Sequence, residues 1–287
     1  METFAEFNHH VNCIAVDPTN GSMVAALDNG DIVAIGATGE DGDPEVIVRT
    51  GGDPCGVTFD STGRMFIADT VHKAILTYAD GEAISQMVDE YDSEPFKGPH
   101  SLVMHANGTI FFTDCGPIGT TSLARPTGSV FAITGGDRIL VPIVLNSLAH
   151  PTGICLSPDQ MCIYVAETGR NRLLRLVQSR HSTNVFHSSV FYQFQGGFGP
   201  VGVAVDATGN IYVTHYDFDH LKIEGSGPSV SVLSPRGALI TTIPPTEGAA
   251  SEVKAIAWGD LSSKNAALYI GESTVVYKCP VSMIPVV

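Results

Sequence analysis

The sequence predicts an all-β protein, a single six-bladed β-propeller with about four antiparallel strands per blade, spanning residues 1–287 as one domain. Three observations carry this expectation. A segment of fixed pattern recurs along the chain, its strands are apolar on both faces, and 30 Gly with 17 Pro leave many turns but few long helical stripes. Closed all-β folds of this length occur as single units.

The repeat is the strongest signal. Asp53-Pro-Cys-Gly-Val-Thr-Phe-Asp-Ser-Thr-Gly-Arg-Met-Phe-Ile-Ala-Asp69 aligns with segments ending at Asp114, Glu167 and His215, which start at Gly98, His150 and Gly199. Each reads Pro, a variable residue, a small residue, a short apolar strand, a turn, then a second apolar strand closed by a polar residue. From Pro to that last residue the count is 15, 15, 16 and 15, with the extra residue in the turn of the third copy. Weaker copies begin at Asn12-Cys-Ile-Ala-Val16 and Lys254-Ala-Ile-Ala-Trp258. The small-residue markers Cys13, Gly56, Ser101, Gly153, Gly202 and Ala255 are spaced by 43, 45, 52, 49 and 53 residues, which gives six units.

Local chemistry agrees element by element. Strands such as 163–166 and 211–214 are apolar on both faces, as stacked blades require. Asp60-Ser-Thr-Gly63 and Asp206-Ala-Thr-Gly209 read as hairpin turns in which Gly takes positive φ. Phe66, Phe111, Tyr164, Tyr212 and Tyr269 recur in one register and are expected to pack between blades. Thr3–Phe7 alternates polar and apolar residues, and is expected to close the ring as the outer strand of the last blade, beside Val275–Lys278.

Composition narrows the function classes. A net charge of −15 argues against nucleic acid and against an anionic membrane surface, because both need basic patches. Met1–Phe7 has no basic region followed by an apolar one, so no secretory signal is read there. No run of 18 apolar residues exists. The six cysteines form no CxxC pair and mostly lie in apolar runs, as reduced thiols of a cytoplasmic protein would. Gly197-Phe-Gly-Pro-Val-Gly202 matches a dinucleotide-loop pattern, but it opens a strand inside the repeat and carries Pro200, so that reading is dropped.

The stretch Val88-Asp-Glu-Tyr-Asp-Ser-Glu-Pro-Phe-Lys-Gly-Pro-His-Ser-Leu-Val103, followed by Gly108–Asp114, resembles the third blade of strictosidine-synthase-like propellers. His150–Asp159 with Tyr164-Val-Ala-Glu-Thr-Gly-Arg-Asn-Arg-Leu-Leu-Arg175 resembles their fourth blade, and the SMP-30/gluconolactonase group shares the architecture. The resemblance implies a divalent cation, usually Ca²⁺, held in the central tunnel by acidic or amide side chains. Carried over residue by residue, those positions fall at Asn12, His100, Thr152 and Val201, a set without a carboxylate. No metal or other cofactor is therefore expected. The resemblance to the synthases implies a Glu in the last blade that acts as a base, which points to Glu252, with His100 as a second weak candidate for catalysis.

Another constellation follows from the repeat itself. Asp69, Asp114, Glu167, His215 and Glu272 all end a second strand. They either bond the backbone of the loops or form an acidic rim that, with Asn12, His100 and Thr152, takes part in ligand binding. Two functions are open at this point. One is an atypical propeller that binds a small molecule or a protein partner on its top face. The other is a lactonase or esterase with a rebuilt active site in the tunnel.

Overall fold

The computed structural model describes residues 1–38, 44–182, 185–196, 198–217, 229–244, 246, 253–259 and 266–280. Six four-stranded antiparallel sheets stand in a ring. Their innermost strands are Val11–Val16, Pro54–Phe59, Pro99–Met104, Pro151–Leu156, Phe198–Val205 and Val253–Gly259. Each touches the next, and the sixth touches the first. Every marker residue lies on one of these strands. A two-stranded hairpin, Glu90–Tyr91 with Glu94–Pro95, sits between blades two and three. Among the described residues no helix is long and apolar enough to cross a membrane.

The ring closes as the sequence predicts. Strand Glu2–Glu6 pairs antiparallel with Val275–Pro280, in the register Glu2 to Lys278 and Glu6 to Val275. The first strand of the chain thus completes the last blade and leaves no free edge at the seam. Phe4 packs edge-on against Tyr269 at 4.9 Å, and the Lys278 ammonium lies 5.7 Å from the Phe4 ring.

The core is six apolar wedges, one per seam. Phe66 of blade two packs with Leu102, Ile110 and Phe112 of blade three. Phe111 packs with Ile154 and Val165 of blade four, Tyr164 with Val203 and Ile211 of blade five, and Tyr212 with Leu268 and Ile270 of blade six. Tyr269 packs with Val11 and Ile14 of blade one. The recurring aromatic therefore reaches forward into the following blade in each case.

The marker must be small because the inner strands converge. A Cβ on Gly153 would stand 2.1 Å from the Val201 carbonyl oxygen, and one on Gly202 would stand 2.4 Å from that of Lys254. Hydroxyls bridge the same narrow gap. Thr113 donates to the Thr152 carbonyl at 2.6 Å, and Thr168 donates to that of Pro200 at 2.7 Å. The hairpin turns repeat a side-chain cap. Asp60 accepts from the Thr62 and Arg64 amides, and Asp206 accepts from those of Thr208 and Asn210. Gly63 and Gly209 take φ of +84° and +89° in those turns.

Candidate functional site

Each innermost strand breaks its ladder at the same place. The register with the second strand shifts between Val11 and Cys13, Pro54 and Gly56, Pro99 and Leu102, Pro151 and Ile154, Pro200 and Val203, and Val253 and Ala255. Such bulges re-aim side chains. Here the residue just before each marker, namely Asn12, Cys55, His100, Thr152, Val201 or Lys254, turns into a central cavity, so every blade supplies one member of the ring. The cavity holds about 170 Å³.

Asp53 and His150, each directly ahead of a strand-opening Pro, add a second tier, joined by Thr70, Thr168 and Tyr216. Gly116, Pro117 and Ile118 cover part of the mouth from a loop of blade three. That loop is anchored where the His150 amide donates to the Thr121 hydroxyl at 2.8 Å.

Hydrogen bonds decide what each wall residue has left to offer. Asn12 donates from Nδ2 to Asp53 Oδ1 at 2.7 Å. Burial raises the Asp53 carboxyl above the ordinary carboxylate range, against the Asn12 bond and the charge of Lys254, which pull it down. Burial also raises the Cys55 thiol far from the reactive range, helped by the charge of Asp53, so Cys55 is a poor nucleophile. The Thr70 hydroxyl donates to the Pro99 carbonyl at 3.0 Å, and the Thr152 and Thr168 hydroxyls share a 2.8 Å bond. Thr152 also lies 3.1 Å from the Val201 carbonyl. These three hydroxyls spend their protons within the ring.

The two imidazoles differ from them. His100 and His150 each have a buried Nδ1 without a hydrogen-bond partner. Burial pushes His100 down to about 3, with the nearby His150 and Lys254 contributing, and pushes His150 down to about 4. Both rings are neutral at physiological pH and can donate or accept one bond to an occupant.

The four positions inferred from the family resemblance, Asn12, His100, Thr152 and Val201, converge on this cavity. Sequence reasoning missed Cys55 and Lys254 at the same offset from the marker, and Asp53 and His150 two residues earlier. The fixed distance to the marker was the available signal. Glu252 lies outside the described residues.

The cavity wall does not include Asp69, Asp114, Glu167, His215 or Glu272. Four of them sit opposite the Pro near the start of the inner strand of their blade, and Glu272 sits opposite Val253. All five are buried. Asp69 accepts from the amides of Asp53, Val71 and His72, and Asp114 from those of Lys97 and Gly98. Glu167 accepts from the Ala149 amide at 2.8 Å and from Arg170 and Arg172 at 2.5 and 2.6 Å. His215 Nε2 bonds the Ser231 hydroxyl at 2.8 Å. In Asp69, Asp114 and Glu167 the carboxylates pin the loops that lead into the inner strands.

Oxygen-rich, anionic cages suit Ca²⁺. Among the described residues the cavity offers one carboxylate, Asp53, together with the ammonium of Lys254 and the donor-free side chain of Val201. Among the described residues no three His, Cys, Asp or Glu side chains come together as a metal-holding group. The donor set therefore does not fit the cation that the architecture implies.

Comparison with known proteins places the chain. The model of the SMP-30/Gluconolactonase/LRE-like region matches residues 2–270. Lactonase drp35 of Staphylococcus epidermidis is 27% identical over 171 residues, which is 57% of this chain and 50% of that protein. The protein strictosidine synthase-like 7 of Arabidopsis thaliana is 30% identical over 151 residues, 50% of this chain and 40% of that protein. The chain thus matches about half or less of the length of these relatives. A gluconolactonase from Xanthomonas campestris superposes with a TM-score of 0.76 at 20% identity, over 97% of this chain and 88% of that one. Regucalcin, a calcium-binding protein of Agrobacterium tumefaciens, gives 0.73 at 16% identity, over 97% and 95%. At these identities the structural likeness shows the fold.

Proposed function

The chain belongs to the SMP-30/Gluconolactonase/LRE-like family, and from that premise we propose that it is an atypical member which binds a small polar molecule in its central cavity without a divalent cation. One observation carries the reading. The bulged ring presents Val201 and Lys254 to the axis beside Asp53, the single carboxylate among the described residues of the cavity. A desolvated Ca²⁺ needs anionic oxygens around it, and an ammonium in the same ring opposes it. A small uncharged or zwitterionic ligand meets no such conflict. Asp53 accepts its donors, Lys254 takes its acceptors, and the neutral rings of His100 and His150 supply bonds of either sense. A volume of about 170 Å³ is below the usual size for drug-like ligands and suits one small metabolite.

The second reading, a lactonase or esterase with a rebuilt site, draws support from the lactonase relatives and from Asp53 and Lys254 sharing one cavity. In that reading Asp53 accepts a proton from a water that attacks the carbonyl, Lys254 stabilises the developing oxyanion, and as the acyl C–O bond breaks the Asp53 proton passes to the leaving alkoxide. A panel of lactones and esters, assayed in EDTA and then with Ca²⁺, Zn²⁺ or Mn²⁺, separates the two. Binding without turnover supports the first reading. Turnover in EDTA that is lost in Asp53→Asn supports the second. Turnover that requires a metal overturns the cation-free premise of both.

A further inference from the structure

The face opposite the central cavity carries a larger one. It opens between blades three and four and holds about 510 Å³, within the range of small-molecule pockets. Its walls mix apolar side chains with the polar ones of Thr109, Thr134 and Gln178. Phe111 and Phe186 meet edge to face at 6.1 Å, one from each blade, and Ala132 and Ile163 line the space beside them. Its rim comes from the turns that join the first and second strands of the two blades, which are at the far end of those strands from the central ring.

The rim is built from constrained residues. Blade four carries the one extra turn residue of the repeat, and Gln160 stands there in the left-handed region at φ +58°. A non-glycine residue held in that region stores strain and marks a place worth a functional hypothesis. Its side chain crosses the seam, where Gln160 Oε1 accepts from the Ala106 amide at 2.8 Å. With the oxygen so engaged, the carboxamide keeps its N–H₂ donors for another partner. His105 is fixed in the same way. Its Nδ1 accepts from the Asn107 amide at 3.0 Å, so in the neutral ring Nε2 carries the proton and is a donor. Both rim residues line the cavity.

From this juxtaposition of an aromatic and aliphatic patch, in a pocket of mixed lining, with two N–H donors at its mouth, we infer a second ligand site between blades three and four. It takes an uncharged molecule with an apolar or aromatic body and one hydrogen-bond acceptor, such as a carbonyl or ether oxygen. A net charge of −15 disfavours an anionic occupant. The site is independent of the central cavity and of the function proposed for it.

The test uses the whole protein, methyl-labelled at isoleucine, titrated with 4-phenylbutan-2-one and, as a control without an acceptor, butylbenzene. The expected result is saturable shifting of the Ile143 and Ile163 methyls but not of Ile118 at the central mouth, with the control binding about five-fold more weakly for want of one hydrogen bond. Gln160→Gly, which removes the carboxamide and relieves the left-handed strain, weakens the ketone by a similar factor. Ala132→Leu fills the space, abolishes binding and leaves the melting temperature level or higher. Shifts confined to Ile118, no saturable shift at all, equal affinity of ketone and control, or a melting temperature lowered by Ala132→Leu would each overturn the site.

Discussion

Glu167 is where the loop-anchoring reading of the second-strand carboxylates can be put at greatest risk. Glu167→Ala removes a fully buried carboxylate that holds the Ala149 amide, Arg170 and Arg172. Leaving the buried Ala149 N–H without a partner costs about 1–3 kcal/mol. Breaking a buried ion pair costs about 3–5 kcal/mol. The two arginines are 30% and 25% exposed and regain water, so only part of that second cost is realised. A loss of about 3 kcal/mol is the outcome, which for a domain of this size lowers the melting temperature by roughly 6 °C. Glu167→Gln, which retains an acceptor for the Ala149 amide, falls between the variant and the parent. Thermal unfolding followed by circular dichroism measures both. Once a central-cavity ligand is in hand, its affinity should be the same in Glu167→Gln as in the parent. An unchanged melting temperature together with lost ligand binding would show that these carboxylates form a binding rim, and that the loop-anchoring argument is wrong.

Three further outcomes follow from the geometry. Gly153→Ala forces a Cβ to within 2.1 Å of the Val201 carbonyl, and backbone must move, so denaturant titration should show a loss of about 1–3 kcal/mol or more. Deleting residues 1–6 strips the outer strand from the last blade and exposes its edge; a clear drop in melting temperature and a rise in aggregation by light scattering are expected, and an unchanged protein would contradict the closure. His215, pushed down by burial to about 4 in the fold, stabilises the protein above its unfolded value near 6.5 and loses that contribution as pH falls from there toward 4, by up to about 1.4 kcal/mol per pH unit. Asp53, Asp114 and Glu272, raised by burial, act in the opposite sense and offset part of the loss. His100 and His150, pushed down likewise, act in the same sense as His215, so His215→Gln should make the fall in melting temperature between pH 6.5 and 4.5 shallower without abolishing it.

The sequence carried the blade count and the inter-blade aromatics, because each repeats at a fixed offset, and the strand pairing at the seam, because Thr3–Phe7 alternates polar and apolar residues. A marker such as Gly153 is legible since its smallness is a packing demand that recurs in every blade. The site was half legible. Asn12, His100, Thr152 and Val201 came from the resemblance, whereas Lys254 and Cys55 share their position but contribute no part of the family's cage. What concealed the rest is the bulge. Periodicity places alternate residues on alternate faces, and a register shift at Lys254 or Cys55 breaks that rule, leaving only the fixed offset from the marker as a signal. The inter-blade cavity was out of reach for a related reason. The extra residue at the turn of blade four is visible, but only the structure shows the Gln160 side chain spanning to Ala106.

Calorimetric titration of Ca²⁺ into protein stripped with EDTA is the most direct test of a cation-free central site. The ring of Asn12, Cys55, His100, Thr152, Val201 and Lys254, with Asp53 as the one carboxylate among the described residues of the cavity, predicts no binding tighter than roughly millimolar, the weak end of protein Ca²⁺ sites. Micromolar or tighter binding that disappears in Asp53→Asn would contradict it, and would restore the metal-dependent chemistry of the family to this chain.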